Sequence, residues 1–441
     1  MKTDRKSRKK LRAITLGCSK NTVDTEHLLA CLADAYDIVS DGPADILLIN
    51  TCGFIGDAKE ESVNTILEAV EEQKEGSFGS IVVFGCLSQR YAEELKDEIP
   101  EVDAWFGARD LSPLLEYLGV GGSTDTRRFI TEPGRPYAYL KISEGCDRRC
   151  SYCAIPFIRG AHKSVPVEVL VDEARKLAAK GIKELEIIAQ DSTFYGIDLY
   201  HRRALADLLK ALSEVEGIEW LRIHYSYPAS FPEDVLDQMA RNPKICAYMD
   251  IPLQHISDRI LDRMHRGVDG KWTRELIKRM RDKVPGVVLR TTMIVGFPGE
   301  TEDDFNELLD FVKEARFERL GAFVYSEEEG TFGAENFKDD VDPDTKARRL
   351  DELMKVQSGI SLEYNRSRIG STVKVLVDDY SCGMLVCRSQ GESPEVDGEI
   401  LVKCADTEEA ESLTGSFIDV RILSADVYDV FAERIQPVNI P

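Results

Sequence analysis

Six of the eleven cysteines fall into two sets whose types and spacing could do chemistry. Cys18, Cys52 and Cys86, in LGCSKN, NTCGFI and FGCLSQ, stand 34 positions apart. Each follows a short apolar run within two residues. In an open parallel sheet, ligands bind just beyond the carboxyl ends of the strands, near the reversal of strand order. Three thiols at successive strand ends can therefore converge from distant positions. The competing reading is three unrelated buried cysteines, because free cysteine is a common core residue. Falling three times at the functional edge of a sheet argues against it. The second set, Cys146, Cys150 and Cys153, lies in EGCDRRCSYCAIPFIRG, directly after the run YAYLKI. The spacing C-x3-C-x2-C crowds three thiolates into one loop. A structural zinc site wants a fourth close ligand, and the nearest candidate is His162. Iron–sulfur clusters ordinarily take four cysteines. Three on a cubane leave one iron open to a substrate or cofactor.

The elements that must position these thiols alternate along the chain. Runs 11–16, 45–50 and 80–85 read as buried strands, and 22–35 and 57–74 as helices between them. That alternation predicts a three-layer α/β domain with a parallel sheet, over 1–125. The stretch 119–136, with GVGGSTDT and EPGRP, reads as a linker. From Tyr137 the strands 137–142, 184–190, 218–224, 246–251, 287–295 and 319–325 alternate with helical patterns at 167–180, 202–214, 232–241, 273–283 and 302–315. Six such units predict a partial (β/α)6 TIM-like barrel within 132–368, with its active site at the carboxyl ends of the strands. A polar stretch, SEEEGTFGAENFKDDVDP, and a long helical segment to about Arg368 complete it. Short β-rich runs from Ile369 predict a small all-β barrel over 369–438.

Bulk composition narrows the function. A chain of 441 residues has room for about three domains. No run approaches the ~18 apolar residues that span a bilayer. The basic start, MKTDRKSRKKLR, lacks the apolar stretch of a secretory signal, so a solvated tail and a cytoplasmic protein are expected. In a reducing compartment, clustered thiols bind metal or react rather than forming disulfides. The net charge of −23 disfavours stable nucleic-acid binding, which draws on phosphate neutralisation. It suits a basic protein partner. From Gly370 to Pro437 there are 5 Lys and Arg against 14 Asp and Glu, a net of −9.

The CDRRCSYC loop resembles the cluster loop of radical S-adenosylmethionine enzymes. That resemblance implies a 4Fe–4S cluster on Cys146, Cys150 and Cys153 whose open iron is chelated by S-adenosylmethionine, and a 5′-deoxyadenosyl radical released by one-electron cleavage. With the N-terminal trio and the C-terminal β module, nearly the whole chain resembles the methylthiotransferases, which end in a TRAM domain. In that family an auxiliary 4Fe–4S cluster, here on Cys18, Cys52 and Cys86, carries the sulfur inserted at a C–H bond. One S-adenosylmethionine supplies the methyl group and a second supplies the radical.

The same resemblance places Tyr152 near the adenine, Gln190 and Asp191 at the methionine end of the cofactor, and Gly296 in a cofactor-binding strand motif, TMIVGFPGE. That motif departs from the usual pattern at Thr292 and Gly299. Arg159 and Gly160 also match the family's loop. The competing reading of AQD is a helix cap or turn. Cys31, Cys246, Cys382, Cys387 and Cys404 read as structural. LGCSKN, NTCGFI, YAYLKISEGC and YSEEEGT resemble the ribosomal-protein branch. This implies methylthiolation of the β-carbon of an aspartate in ribosomal protein S twelve, with electrons from a protein such as flavodoxin or ferredoxin. Two alternatives stand beside it: methylthiolation of an adenosine in transfer RNA, and a noncatalytic iron–sulfur or zinc scaffold that binds ribosomes.

Overall fold

The computed structural model describes residues 8–121 and 126–435. The start of the basic tail (1–7), part of the expected linker (122–125) and the last residues (436–441) lie outside the described residues. Strands β1 (Lys10–Thr15), β2 (Asp37–Val39), β3 (Ala44–Thr51), β4 (Phe78–Gly85) and β5 (Ala104–Trp105) form one parallel sheet in the order β2-β1-β3-β4-β5. Alternate side chains feed opposite faces of the sheet. Leu47, Ile49, Ile81 and Val83 pack against the helix Gly56–Lys74 through Ile66, Ala69 and Val70. Ile46, Leu48, Val82 and Phe84 pack against Leu28, Leu29 and Leu32 of the helix Ser19–Leu32 and against Leu114 and Leu115. Three layers result, as expected. The strand order reverses between β1 and β3, where the chain leaves β1 for one edge and returns on the other side.

One local expectation needs correction. The first helix begins at Ser19 rather than near residue 22, because Cys18 itself takes the extended N-cap conformation. A third helix, Cys86–Glu98, follows β4 directly. Non-helical backbone at Tyr91 interrupts it, which breaks its period in the sequence.

The second sheet comprises β6 (Tyr137–Lys141), β9 (Glu184–Ile188), β10 (Trp220–Ile223), β11 (Ile245–Asp250), β12 (Val288–Val295) and β13 (Arg319–Val324). All are parallel, in the order β13-β12-β11-β10-β9-β6, which is the partial six-unit barrel. A small antiparallel pair, β7 (Ser143–Glu144) with β8 (Lys163–Ser164), brackets the C-x3-C-x2-C loop. Outward residues such as Leu140, Leu185, Ile187, Leu221, Met249 and Leu289 pack beneath the helices. The inward residues are polar and paired: Arg222 with Glu184 at 2.7 Å, His224 with Glu186 at 2.6 Å, and Arg290 with Asp250 at 2.9 Å.

The chain ends in a closed barrel of β14 (Thr372–Ser381), β15 (Met384–Arg388), β16 (Ile400–Lys403), β17 (Phe417–Ala425) and β18 (Val430–Arg434). Its loop 389–397 fills the inner side of the partial barrel. The Gln390 carbonyl accepts from Arg222, Ser393 meets His224, Glu395 accepts from Tyr137, and Asp397 accepts from Tyr248 at 2.7 Å. The stretch expected as a linker is likewise built in. Arg128 is 3% exposed and pairs with Glu26 of the first domain and Glu173 of the barrel. Glycine and proline content cannot reveal an ion pair whose partners lie far away in sequence. Among the described residues, no helix is long and apolar enough to cross a membrane.

Candidate active site

Cys18, Cys52 and Cys86 follow β1, β3 and β4, which are neighbours in the sheet. The structure brings them together through glycines. A Cβ built on Gly17 would stand 2.8 Å from the Cys52 sulfur, and one on Gly53 would stand 2.6 Å from the Leu87 backbone, beside Cys86. Only a residue without a side chain permits such approach. Two buried asparagines then lock the turns. Asn21 donates to the carbonyls of Leu16 and Thr51, and Asn50 donates to the Asn21 carbonyl at 2.9 Å. Ser62 holds Cys52 by bonding to both its N–H and its carbonyl.

Burial pushes the Cys86 thiol up to about 11, against the pull of Arg159, and burial raises Cys52 as well. A buried thiolate needs nearby positive charge. Arg159 supplies it from the other domain. Its guanidinium reaches Asn21 at 2.5 Å and Asp24 at 2.6 Å, and stands beside Cys86. The helix Ile155–Arg159, immediately after Cys153, packs Ala154 and Ile158 on Cys86. The segment that follows the second trio therefore packs directly on Cys86 of the first. Arg109 reinforces it by donating to the carbonyls of Ile158 and Phe157.

The second trio sits where the barrel rule puts chemistry, beyond the carboxyl end of β6. Gly145 has a left-handed φ of 75°, and any Cβ there would collide with the Ala161 carbonyl. This glycine lets the loop close on itself directly before Cys146. Burial pushes Cys146 and Cys153 up to about 12. Arg148 counters this at Cys146 and Arg266 at Cys153; Arg266 also donates to the Cys150 sulfur at 3.3 Å and the Tyr152 hydroxyl at 3.2 Å. Arg148 lies over the Tyr227 ring, and its Nε donates to Asp191 at 2.8 Å. His162 turns away from the loop to Ser164. Among the described residues, no three His, Cys, Asp or Glu side chains converge tightly enough for one metal ion.

The remaining sequence candidates divide. Tyr152 packs with Ile260, Met264, Phe297 and Tyr325 beside the loop. Gln190 donates to Glu144 at 2.8 Å, and its buried carbonyl oxygen has no partner. Asp191 is engaged within the protein: one oxygen caps the turn at Thr193, and the other takes Arg148. The cap reading of AQD is therefore the geometry found, with Asp191 orienting Arg148. Gly296 has a left-handed φ of 71°, but the space beside its Cα is filled by Lys346.

Several residues escaped the sequence reading. Buried polar atoms without partners ring the carboxyl ends of the strands: Ser143 after β6, Gln190 after β9, Ser226 after β10 and Gln254 after β11. Such groups are costly unless something satisfies them. Together with three thiols and two guanidiniums, they fit an iron–sulfur cluster and a polar small-molecule cofactor. The glycines could have been found from their places beside cysteines, whereas Arg266 and Tyr227 carry no local signal.

Comparison with known proteins agrees with this geometry. Residues 140–312 match the radical SAM superfamily, residues 369–435 a TRAM domain, and residues 10–107 an uncharacterized protein family, UPF0004. The ribosomal protein uS12 methylthiotransferase RimO of Bacteroides fragilis is 49% identical over 434 residues, 97% of this chain and 100% of that protein. Its namesake in Porphyromonas gingivalis is 51% identical over 434 residues, 97% and 99% of the two chains. The solved structure of the radical S-adenosylmethionine methyltransferase TsrM from Kitasatospora setae shares the fold. Its TM-score is 0.54 at 14% identity, with 92% of this chain and 85% of that one covered. Superfamily membership brings S-adenosylmethionine and a 4Fe–4S cluster with it. The chain belongs to the uS12 methylthiotransferase family of radical SAM enzymes.

Proposed function

We propose that this enzyme methylthiolates the β-carbon of an aspartate in ribosomal protein uS12, the protein S twelve of the small subunit. The observation that carries the reading is identity of about half over nearly the full length of proteins bearing that activity in their name. Modification of transfer RNA is not favoured, and the net of −9 over the C-terminal barrel is consistent with a basic protein substrate. In this reading Cys146, Cys150 and Cys153 hold one cluster, and Cys18, Cys52 and Cys86 hold a second. When bound, these groups and S-adenosylmethionine supply a carbon-centred radical and the sulfur to be transferred.

The chain's own residues prepare that chemistry. Arg266 and Arg159 offset the negative charge of the two thiolate sets. Gln190, Ser226 and Gln254 offer hydrogen bonds to the cofactor where the strands end. Tyr152 walls one side. Gly296 contributes through its strand rather than by touching the ligand, because Lys346 occupies its open side. A flavodoxin- or ferredoxin-like protein supplies electrons, and the reaction runs in the cytoplasm on free or ribosome-bound substrate.

The test uses enzyme reconstituted with iron and sulfide, a reductant, S-adenosylmethionine and a uS12 peptide, read by mass spectrometry. A methylthio group on the aspartate is expected. Modification of transfer RNA with none on the peptide overturns the proposal. Zinc without labile sulfide in the isolated protein favours the scaffold instead.

A further inference from the structure

Among the described residues, buried cations are answered by anions or a thiol sulfur, with one exception. Arg128, Arg159, Arg222, Arg319, Lys346, Arg349 and Arg388 each meet a carboxylate. Arg266 meets the Cys150 sulfur. Lys20 is only 8% exposed, and among the described residues its ammonium has neither a carboxylate nor a hydrogen-bond acceptor. It rests on the face of the Tyr225 ring, 3.0 Å from the centroid. A cation–π contact of this kind returns part of the hydration an ammonium gives up, and leaves its hydrogen-bonding directions open.

The position of Lys20 says what should fill them. It stands two residues after Cys18, in the first turn of the helix Ser19–Leu32, yet it reaches across to the barrel. Tyr225 follows β10 by two residues and is held in left-handed backbone with φ 58°. Its N–H donates to Asp250 at 3.0 Å, and its carbonyl accepts from Ser192 at 3.1 Å. The fold thus fixes an aromatic plate at the mouth of the barrel and seats on it an ammonium from the sulfur-bearing domain. Ser226, next in the chain, adds a buried hydroxyl without a partner. Of the neighbouring cations, Arg290 pairs with Asp250, His224 with Glu186 and Asp250, and Lys141 with Asp24 and Glu144. Arg148 pairs with Asp191 through Nε and keeps one buried nitrogen without a partner, while Arg203 donates to the Thr193 carbonyl.

We propose that Lys20 is the substrate-recognition residue of this enzyme: its ammonium binds the carboxylate of the target aspartate between the two thiol trios. The assignment rests on the protein-substrate reading given above. It explains how an acidic side chain enters a site already crowded with thiolates and carboxylates. It also fixes the β-carbon one bond from the anchored carboxylate.

The experiment compares holoenzyme binding of two uS12 peptides, one with aspartate and one with asparagine at the target position. A charge-assisted hydrogen bond predicts about 10–100-fold tighter binding of the aspartate peptide by the wild-type protein. Lys20→Met should abolish that preference while retaining wild-type iron and sulfide, and Lys20→Arg should keep most of it. An unchanged preference in Lys20→Met overturns the assignment. So does loss of iron from the N-terminal trio in both variants, which would make Lys20 a counter-charge of the cluster. Wild-type enzyme that modifies the aspartate peptide but binds the two peptides equally overturns the assignment alone. Wild-type enzyme that neither binds nor modifies the peptide overturns the substrate reading, and this assignment with it.

Discussion

Arg159→Met removes the guanidinium that ties the segment after Cys153 to the first domain beside Cys86, while keeping most of the side-chain stem. Arg159 is 4% exposed and bonds Asp24 at 2.6 Å, Glu144 at 3.2 Å and Asn21 at 2.5 Å. Two of those partners are charged, and both keep Lys141 as a second cation. The loss is therefore that of one partner from a buried cluster, about 3–5 kcal/mol, and not the desolvation of two bare carboxylates. Unfolding of a chain with three cores is unsuited to a single two-state analysis. Hydrogen exchange resolves the effect locally: amides of the helices Ser19–Leu32 and Ile155–Arg159 should open at least 100-fold more readily, while the C-terminal barrel stays unchanged. Asp24→Asn should weaken the same segments, and the double variant should be less damaged than the sum. Strict additivity in that cycle, or exchange unchanged in both helices, would refute the bridge.

Other perturbations probe separate parts of the design. Gly53→Ala forces a Cβ to 2.6 Å from the Leu87 backbone. It should therefore lower iron at the N-terminal trio alone, read as about half the wild-type iron and sulfide with peptide-independent cleavage of S-adenosylmethionine retained. For His224, burial favours the neutral ring, but bonds to Asp250 and Glu186 outweigh it and raise the imidazole to about 9. That stabilisation is full below about 6.5 and is lost as pH rises through about 9. Urea unfolding of the barrel should weaken by on the order of 2–3 kcal/mol over that window, and His224→Gln should flatten the dependence. Glu392 accepts from Arg319 at 3.0 Å and from the Ser389 hydroxyl at 2.6 Å, and also pairs with Arg368. Glu392→Ala should cost about 3–5 kcal/mol at that joint and expose the junction near Ile369 to proteases, while leaving the strands of the closed barrel protected.

Much of this protein was legible in its sequence because the signals are local. The alternation of apolar runs and amphipathic segments sets out three domains in order, since each strand and helix answers to its own period. The six cysteines declare themselves by standing just past strands, and the spacing of Cys146, Cys150 and Cys153 is a property of one loop. Tertiary structure decided what depends on residues far apart in the chain. Asp191 and Gly296 match a motif, but one caps a turn and the other packs on Lys346, because the neighbours that occupy them arrive from elsewhere. Arg128 turns an apparent linker into a buried joint. Arg159 matches a loop motif and Lys20 looks like an ordinary basic residue, but neither shows its partners until the domains dock. Then one ties the segment after Cys153 to the first domain beside Cys86, and the other becomes a buried cation with no anion of its own. The reason is physical: charge is cheap in the unfolded, hydrated chain, and its meaning is set by which partner survives burial.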